Sequence, residues 1–157
     1  MKQKLTKYII ILFSVVFAIR VLTIFAADRL YSMSLAAEKG IISPNKAITY
    51  LDYAISLDST NADLYYQKYK ILRGLSPKGT VLDEDRNLHK KQLHTLRKCI
   101  NLCPTLSRYH IFYAFTLKRM MPKSNPMTRQ MILSEMKKAV QLKSYSKLYG
   151  KIYRTHQ

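Results

Sequence analysis

The segment AISLDSTNADLYYQKYKIL, residues 54–72, has the same arrangement as CINLCPTLSRYHIFYAFTL, residues 99–117. Each begins with a small residue, an aliphatic residue and, after a gap, a Leu. A short polar or Pro-containing break follows, and then an aromatic-rich stretch. A shorter copy, AVQLKSYSKLYGKIY, occupies residues 139–153, so the copies begin 45 and 40 residues apart. Repetition on this scale indicates an array of similar helical units that share one core.

Capping residues and chain breaks place the helices. Ser43-Pro44 and Asn125-Pro126 each put a capping side chain before a Pro at the first helical position. A weaker capping box joins Thr80 to Asp83, and breaks fall at Gly40, 74–79 and 121–125. The predicted helices cover residues 28–39, 44–58, 61–73, 82–103, 105–120, 126–143 and 145–155.

These positions resemble the tetratricopeptide repeat (TPR) family of paired antiparallel helices, and the resemblance covers residues 30–155. In that family the second helix of each pair carries a small residue, a bulky one four positions on, then Ala, an aliphatic, Leu and Pro. The matching positions are Ala47, Leu51, Ala54, Ile55 and Leu57; Leu96, Cys99, Ile100, Leu102 and Pro104; and Met136, Ala139, Val140 and Leu142. Ser59 replaces the Pro of the first copy, and Gln92 fits the small position of the second copy poorly.

On the first helices, Tyr65 and Tyr109 resemble the family's opening aromatic residue, and Ala114 resembles its small contact residue. The resemblance implies an all-α domain of about three antiparallel helix pairs over residues 28–157, with a last helix near Tyr145 as a cap. The copies are longer than the family's repeat. A generic helical bundle would show the same three- and four-residue apolar spacing.

An apolar run, YIIILFSVVFAIRVLTIFAA, precedes this domain at residues 8–27. Twenty residues of helix extend roughly 30 Å, the hydrocarbon thickness of a bilayer, so the run is interpreted as one uncleaved transmembrane signal-anchor helix. One alternative is a buried helix of a soluble protein, which the position directly after a Lys-rich start disfavours. The other is a cleaved signal peptide, but the nearest cleavage site, 24–26, has Ile where a small residue is preferred. Arg20 lies within the span and is expected either to contact a partner or anionic lipid there, or to extend to the interface.

Charge is distributed unevenly along the chain. The formal net charge is +18, and residues 86–157 carry sixteen Lys or Arg and a single acid, Glu135. The basic tail at residues 1–7 carries three Lys, whereas Asp28 and Arg29 cancel after the span. The positive-inside rule therefore predicts a cytoplasmic N-terminus and an extracytoplasmic (periplasmic or equivalent) C-terminal domain. A basic half of this density indicates an anionic neighbour.

The sequence contains no catalytic constellation, phosphate-binding loop or ordered set of metal ligands, so neither an enzyme nor a cofactor or metal site is expected. Residues 83–85 are acidic, which suits a helix N-terminus. Cys99 and Cys103 lack zinc-site spacing, and a disulfide across one helical turn would need distortion, so two buried thiols are expected.

The TPR resemblance also implies a binding groove on the outward side of the first helices. Carried over, the groove would be basic and aromatic, which suits an extended acidic segment. The Lys and Asn pattern of chaperone-binding repeats is absent from these helices, so that function is not supported. The predicted groove residues are Tyr66, Lys70, Arg73, Arg108, Ile111, Phe115 and Lys118.

Together these features predict a non-enzymatic, membrane-anchored scaffold or accessory subunit within or on a larger membrane or envelope complex. Its expected partners are other protein subunits of that complex and the lipid bilayer. One alternative is a basic tether that binds anionic lipid at the membrane surface. Another, if the topology is inverted, is an RNA-binding module; nucleic acid is otherwise not expected.

The topology is testable with reporter fusions. Alkaline phosphatase fused after Gln157 should be active and green fluorescent protein there dark, because the domain is expected outside the cytoplasm. Measuring both activities in intact cells checks this expectation, and the reverse pattern would show that the domain is cytoplasmic.

Overall fold

The computed structural model describes residues 2–76, 83–120 and 126–142. These residues form six helices and no strand, which confirms the predicted all-α class for the part of the chain that the structure describes. The helices are α1 (Lys2–Leu35), α2 (Pro44–Leu57), α3 (Ala62–Gly74), α4 (Asp83–Leu102), α5 (Ser107–Met120) and α6 (Pro126–Leu142). The predicted helix over 145–155 and the capping residues Thr80 and Asn125 lie outside the described residues.

The chain divides into two compact units, Met1–Thr60 and Asn61–Gln157. In the first unit α1 packs against α2. In the second unit α3 packs against α4, α4 against α5, and α5 against α6. Within each unit, helices that follow one another in sequence pack together, as the repeated helix pairs predicted.

The first helix, α1, runs without interruption for 34 residues, from Lys2 to Leu35. The apolar run and the helix predicted after it are thus one element about 51 Å long. Among the described residues, Thr6–Leu35 is the helix long and apolar enough to cross a membrane, a criterion that signal sequences also meet. None of its most apolar stretch is buried. The hydroxyls of Ser14 and Thr23 donate to carbonyls of their own helix at 2.9 and 2.8 Å.

The connection from α1 to α2 follows the predicted chemistry. Gly40 has a φ of 70°, a left-handed conformation that glycine adopts without the clash of a Cβ. The Ser43 hydroxyl then accepts a hydrogen bond from the Lys46 amide at 3.3 Å, and Pro44 begins α2. The predicted cap and start are both confirmed, and they turn the chain back along α1.

Small residues mark the places where helices meet. Ala54, Cys99 and Ala139, which occupy equivalent positions in the three copies, are each 0% exposed. Ala114 on α5 is also fully buried. A small side chain lets two helix backbones approach closely, so these positions are fixed by packing. Most of the other predicted repeat positions are buried or half-buried: Ala47, Leu51, Ile55, Leu57, Leu96, Ile100, Leu102, Tyr65, Tyr109, Met136 and Val140.

Gln92, the poorest match to the repeat pattern, is nevertheless buried. Its Nε2 donates to the Leu72 carbonyl at 3.0 Å and to the Ser76 hydroxyl at 2.7 Å. A buried amide is tolerated when its donors are satisfied, so Gln92 ties α4 to the end of α3.

A charge placed at a helix-contact position should unfold the second unit. We expect Ala139→Asp to lower the free energy of unfolding by about 3 kcal/mol or more, because the carboxylate would be buried without a partner. Thermal unfolding followed by circular dichroism measures this. The matched control is Ser134→Asp, at an exposed position of the same helix, which should change the melting temperature little. Equal melting temperatures for the two variants would contradict the packing described here.

Candidate protein-interaction surface

Aromatic side chains of α3 and α5 pack against one another. The Tyr66 ring lies 5.4 Å from the Tyr109 ring and 6.0 Å from the Phe112 ring, centroid to centroid. Tyr69 lies 5.6 Å from Phe112 and 6.2 Å from Tyr66. These separations are those of favourable aromatic pairs, so the two first helices are joined by one continuous aromatic patch.

Cations lie over the faces of these rings. The Arg108 guanidinium is 4.7 Å from the Tyr66 centroid, and the Lys70 ammonium is 5.9 Å from the same centroid. The Arg73 guanidinium lies 5.3 Å from the Phe112 centroid. Aromatic faces attract cations, so the rings hold these three charges at the surface in defined positions. We call Tyr66, Lys70, Arg73, Arg108 and Phe112 the cation–aromatic surface.

Arg108 also makes two polar contacts at the surface. One of its terminal nitrogens donates to the Tyr109 hydroxyl at 3.3 Å and to Asp63 Oδ1 at 3.4 Å. The hydrogen bond to Tyr109 and the nearby Asp63 carboxylate raise the pKa of Arg108. The pair with Asp63 is solvent-exposed and contributes little stability, so an anionic ligand could compete with that carboxylate.

A cavity of about 460 Å³ adjoins the cation–aromatic surface, near the ends of α3 and α5. Three cations line it, and none of the described residues in its lining is acidic. Gln92 forms part of its wall, and hydrogen bonds from the Gln92 amide to the end of α3 fix that side chain. The lining residues are Tyr69, Arg73, Gln92, Phe112, Phe115, Thr116, Lys118 and Arg119. A concave, positively charged and aromatic space of this kind suits a ligand group that is anionic and partly apolar.

The structure brings most of the predicted groove residues together. Four of them, Tyr66, Lys70, Arg73 and Arg108, lie in the cation–aromatic surface, and Arg73 lines the cavity with two more, Phe115 and Lys118.

The seventh predicted groove residue, Ile111, is only 6% exposed and packs in the interior, so it offers almost no surface to a ligand. Two residues that were not predicted, Phe112 and Arg119, line the cavity beside Phe115 and Lys118. The spacing of Arg108, Phe112, Phe115 and Arg119 is the signal that would have found them, since residues three and four apart share one helix face.

Arg20 has a partner that the sequence did not reveal. Its guanidinium lies 3.5 Å from Asp58 Oδ1 at the end of α2, within the first unit. The sequence predicted contact of Arg20 with a partner molecule or anionic lipid, or extension to the interface. A carboxylate of the same chain was not among these options, because nothing in the sequence pairs residues 38 positions apart.

The two thiols differ in burial. Cys99 is buried and Cys103 half-buried, and both are free. Burial raises the pKa of the Cys99 thiol to about 12, and its sulfur donates weakly to the Ala62 carbonyl at 3.7 Å. In the part of the chain that the structure describes, no three His, Cys, Asp or Glu residues are grouped as a metal site requires.

His110 joins α5 to α6. Its Nδ1 lies 2.6 Å from Glu135 Oε2, and its Nε2 lies 2.9 Å from the Pro104 carbonyl oxygen. Lys138 donates to the other Glu135 oxygen at 2.8 Å. Burial by itself would raise the pKa of Glu135, but the hydrogen bonds from His110 and Lys138 outweigh it and lower that pKa. The ionised carboxylate therefore stabilises the packing of α5 on α6.

Comparison with solved structures identifies the fold. The chain is similar to the Arabidopsis OM64 TPR domain, with a TM-score of 0.65 and 14% identity over 86% of this chain and 97% of that one. It is also similar to the first TPR of Spaghetti (RPAP3) bound to HSP90 peptide SRMEEVD, with a TM-score of 0.63 and 9% identity over 85% of this chain and 91% of that one. A third similar structure is the Sgt2 TPR domain from Aspergillus fumigatus, with a TM-score of 0.58 and 14% identity over 83% of this chain and 76% of that one.

The protein therefore has a TPR-like helical-repeat fold, a class whose members generally mediate protein–protein interaction. No protein-family model matches the sequence. No curated protein matches it in sequence either.

The contacts of Glu135 with His110 and Lys138 predict that the second unit loses stability in acid. A carboxyl whose pKa is lowered on folding stabilises the fold above its ordinary pKa of 4.5, and that contribution is lost as the pH falls through the lowered value. We expect Glu135→Gln to reduce stability near neutral pH and to flatten the loss of stability in acid. Urea unfolding at a series of pH values measures both effects. Glu38→Gln, which alters an exposed residue in the first unit, should keep the acid slope of the unmodified protein. An unchanged slope for Glu135→Gln would contradict the assignment.

Proposed function

We propose that this protein is a non-enzymatic, membrane-anchored accessory subunit whose TPR-like domain binds an extended acidic segment of another protein in a larger membrane or envelope complex. The observation that carries the proposal is the cation–aromatic surface, which displays Lys70, Arg73 and Arg108 over aromatic rings on two adjacent first helices. A helical-repeat fold with such a surface is suited to docking rather than to chemistry.

The charge of the surface favours an acidic partner. A carboxylate of the partner would accept hydrogen bonds from a guanidinium whose position is already restricted, so less conformational entropy is lost on binding. The adjoining cavity adds Lys118 and Arg119 and exposes the rings of Phe112 and Phe115. An acidic segment with an apolar or aromatic side chain near its carboxylates would match both parts.

An extended segment fits better than a folded domain, because the charges follow the direction from α3 to α5 and end in a concave space. The TPR fold accommodates such a ligand in the first TPR of Spaghetti (RPAP3), which is bound to an HSP90 peptide with the sequence SRMEEVD. In the present chain we propose that the ends of the first helices, around Arg73 and Lys118, receive the carboxylates.

The anchor in this proposal is α1. Its most apolar stretch is unburied and long enough to span a bilayer, and its hydroxyls are satisfied within the helix, as a lipid environment demands. Lys2, Lys4 and Lys7 precede it, so we propose a cytoplasmic N-terminus and an extracytoplasmic domain. Anchoring would hold the basic half near the complex that supplies the acidic segment.

Reversing charge inside the proposed groove should weaken binding of an acidic segment. We expect Arg73→Glu with Lys118→Glu to weaken binding of a fluorescent Glu-rich peptide containing one Phe by at least about tenfold, because charge-assisted contacts would become repulsive. Fluorescence anisotropy with the full chain in mild detergent, at fixed salt concentration, measures the dissociation constant.

The matched control reverses two exposed cations on second helices, Lys98→Glu with Lys137→Glu, and so changes the net charge equally. The dissociation constant of this control for the same peptide should stay within about twofold of that of the unmodified protein, because only long-range attraction changes. Equal weakening by both pairs, set only by total charge and salt, would favour a nonspecific tether. Preferential binding of anionic vesicles or of RNA by the same protein would favour the corresponding alternative.

A further inference from the structure

The Arg20–Asp58 contact shows how far α2 follows α1. Arg20 lies fifteen residues before the end of α1, and Asp58 directly follows α2, which has fourteen residues. Since the side chains meet at 3.5 Å, α2 runs back alongside α1 for roughly 20 Å, as far as the middle of the apolar run. The first unit is therefore a helical hairpin that overlaps the proposed membrane span.

The apolar run before Arg20 is too short to cross a bilayer unaided. Residues 8–19 form twelve residues of helix, roughly 18 Å, whereas the hydrocarbon core is about 30 Å thick. Any span formed by α1 must therefore include residues 20–27. The end of α2 lies beside those residues, so it has to share their surroundings.

We infer that the C-terminal end of α2, residues 53–58, enters the bilayer alongside residues 20–27 of α1, with Tyr53 at the interface and the Arg20–Asp58 pair deeper, where the two charges neutralise each other. This inference rests on the proposed anchoring of α1. It adds a second lipid-contacting element to the anchor and assigns the lipid of the bilayer as its partner.

Charged residues reappear on the two helices at similar distances from the ion pair. Counted from Arg20, α1 carries no charged residue for seven positions, until Asp28, which is roughly 10 Å. Counted back from Asp58, α2 carries none for five positions, until Asp52, which is roughly 8 Å. Charge thus resumes at nearly the same height on both helices, as expected where both leave the membrane.

Two polar side chains at the end of α2, Ser56 and Asp58, have hydrogen-bond partners within the protein. The Ser56 hydroxyl donates to the Tyr53 carbonyl at 2.7 Å. The Asp58 carboxylate accepts hydrogen bonds from the Thr60 hydroxyl at 2.8 Å and the Thr60 amide at 3.3 Å, in addition to its contact with Arg20. Internal satisfaction of this kind lowers the cost of placing polar groups near lipid.

Part of the apolar surface of this segment is exposed. Tyr53 is 61% exposed, and Ile55 and Leu57 are half-buried. Tyrosine favours the interface between lipid and water, because its ring is apolar and its hydroxyl is polar. At the opposite end of α2, Asn45 and Lys46 are exposed and polar, which suits water.

Single tryptophans test this placement directly, since the chain has no Trp. The full chain would be reconstituted in phosphatidylcholine vesicles containing lipids brominated either near the headgroup or at mid-chain. The three reporters are Tyr53→Trp at the end of α2, Phe17→Trp in α1 as the test of anchoring, and Asn45→Trp at the distal end of α2. We expect mid-chain bromine to quench the Phe17→Trp reporter, headgroup-proximal bromine to quench the Tyr53→Trp reporter, and neither to quench the Asn45→Trp reporter.

The outcomes separate the inference from the anchor on which it rests. Quenching of the Phe17→Trp reporter with none of the Tyr53→Trp reporter would overturn the inference and leave the anchor intact. No quenching of the Phe17→Trp reporter would overturn both. Quenching of all three reporters would also overturn the inference, because α2 would then contact lipid along its whole length.

The ion pair is tested in the Tyr53→Trp protein. Asp58→Asn should reduce the quenching, because Arg20 would keep its charge without a carboxylate to neutralise it and the end of α2 would lie less deep in the lipid. Exchanging the charges, with Arg20→Asp and Asp58→Arg together, should restore it. Quenching that is lost in Asp58→Asn and not recovered by the exchange would overturn the role of the pair.

Discussion

Close contact between paired helices, made possible by small side chains, is the constraint on which the rest of this structure depends. Ala54, Cys99 and Ala139 have no exposed surface, so the second helix of each pair can approach its neighbour closely. Where two helices are this close, larger side chains fill the space on either side of the small ones. Once the pairs form, the outward face of α3 and α5 is determined, because a helix that buries one side must present the other.

The cation–aromatic surface is a consequence of that packing. The aromatic residues of the first helices are too numerous to be buried completely, and several present a ring face to the outside. Basic side chains of the same helices then lie over these faces, as Arg108 lies over Tyr66. The result is a set of positively charged groups with restricted geometry, which differs physically from the freely moving lysines of an ordinary basic surface.

In the first unit, two opposite charges pair with each other. Arg20 interrupts an otherwise apolar run, and by itself it would oppose burial in lipid. The structure supplies Asp58 as its partner, and that carboxylate also receives donors from Thr60. Pairing of two opposite charges that also have hydrogen-bond partners reduces the penalty that either charge would carry alone.

The sequence by itself determined the helices, because capping residues, Gly and Pro act locally: Ser43-Pro44 begins α2 and Gly40 precedes it as predicted. It also determined the repeat and its buried small positions, since these recur at equivalent sites. Only the tertiary structure decided which side chains meet across helices. Helix rotation decides that Phe112 is more exposed than Ile111, and a periodic pattern leaves that rotation uncertain by one residue. Likewise, the contact between Arg20 and Asp58 depends on the length and direction of α2 after its turn, and no local rule encodes a pairing between residues so far apart in the chain.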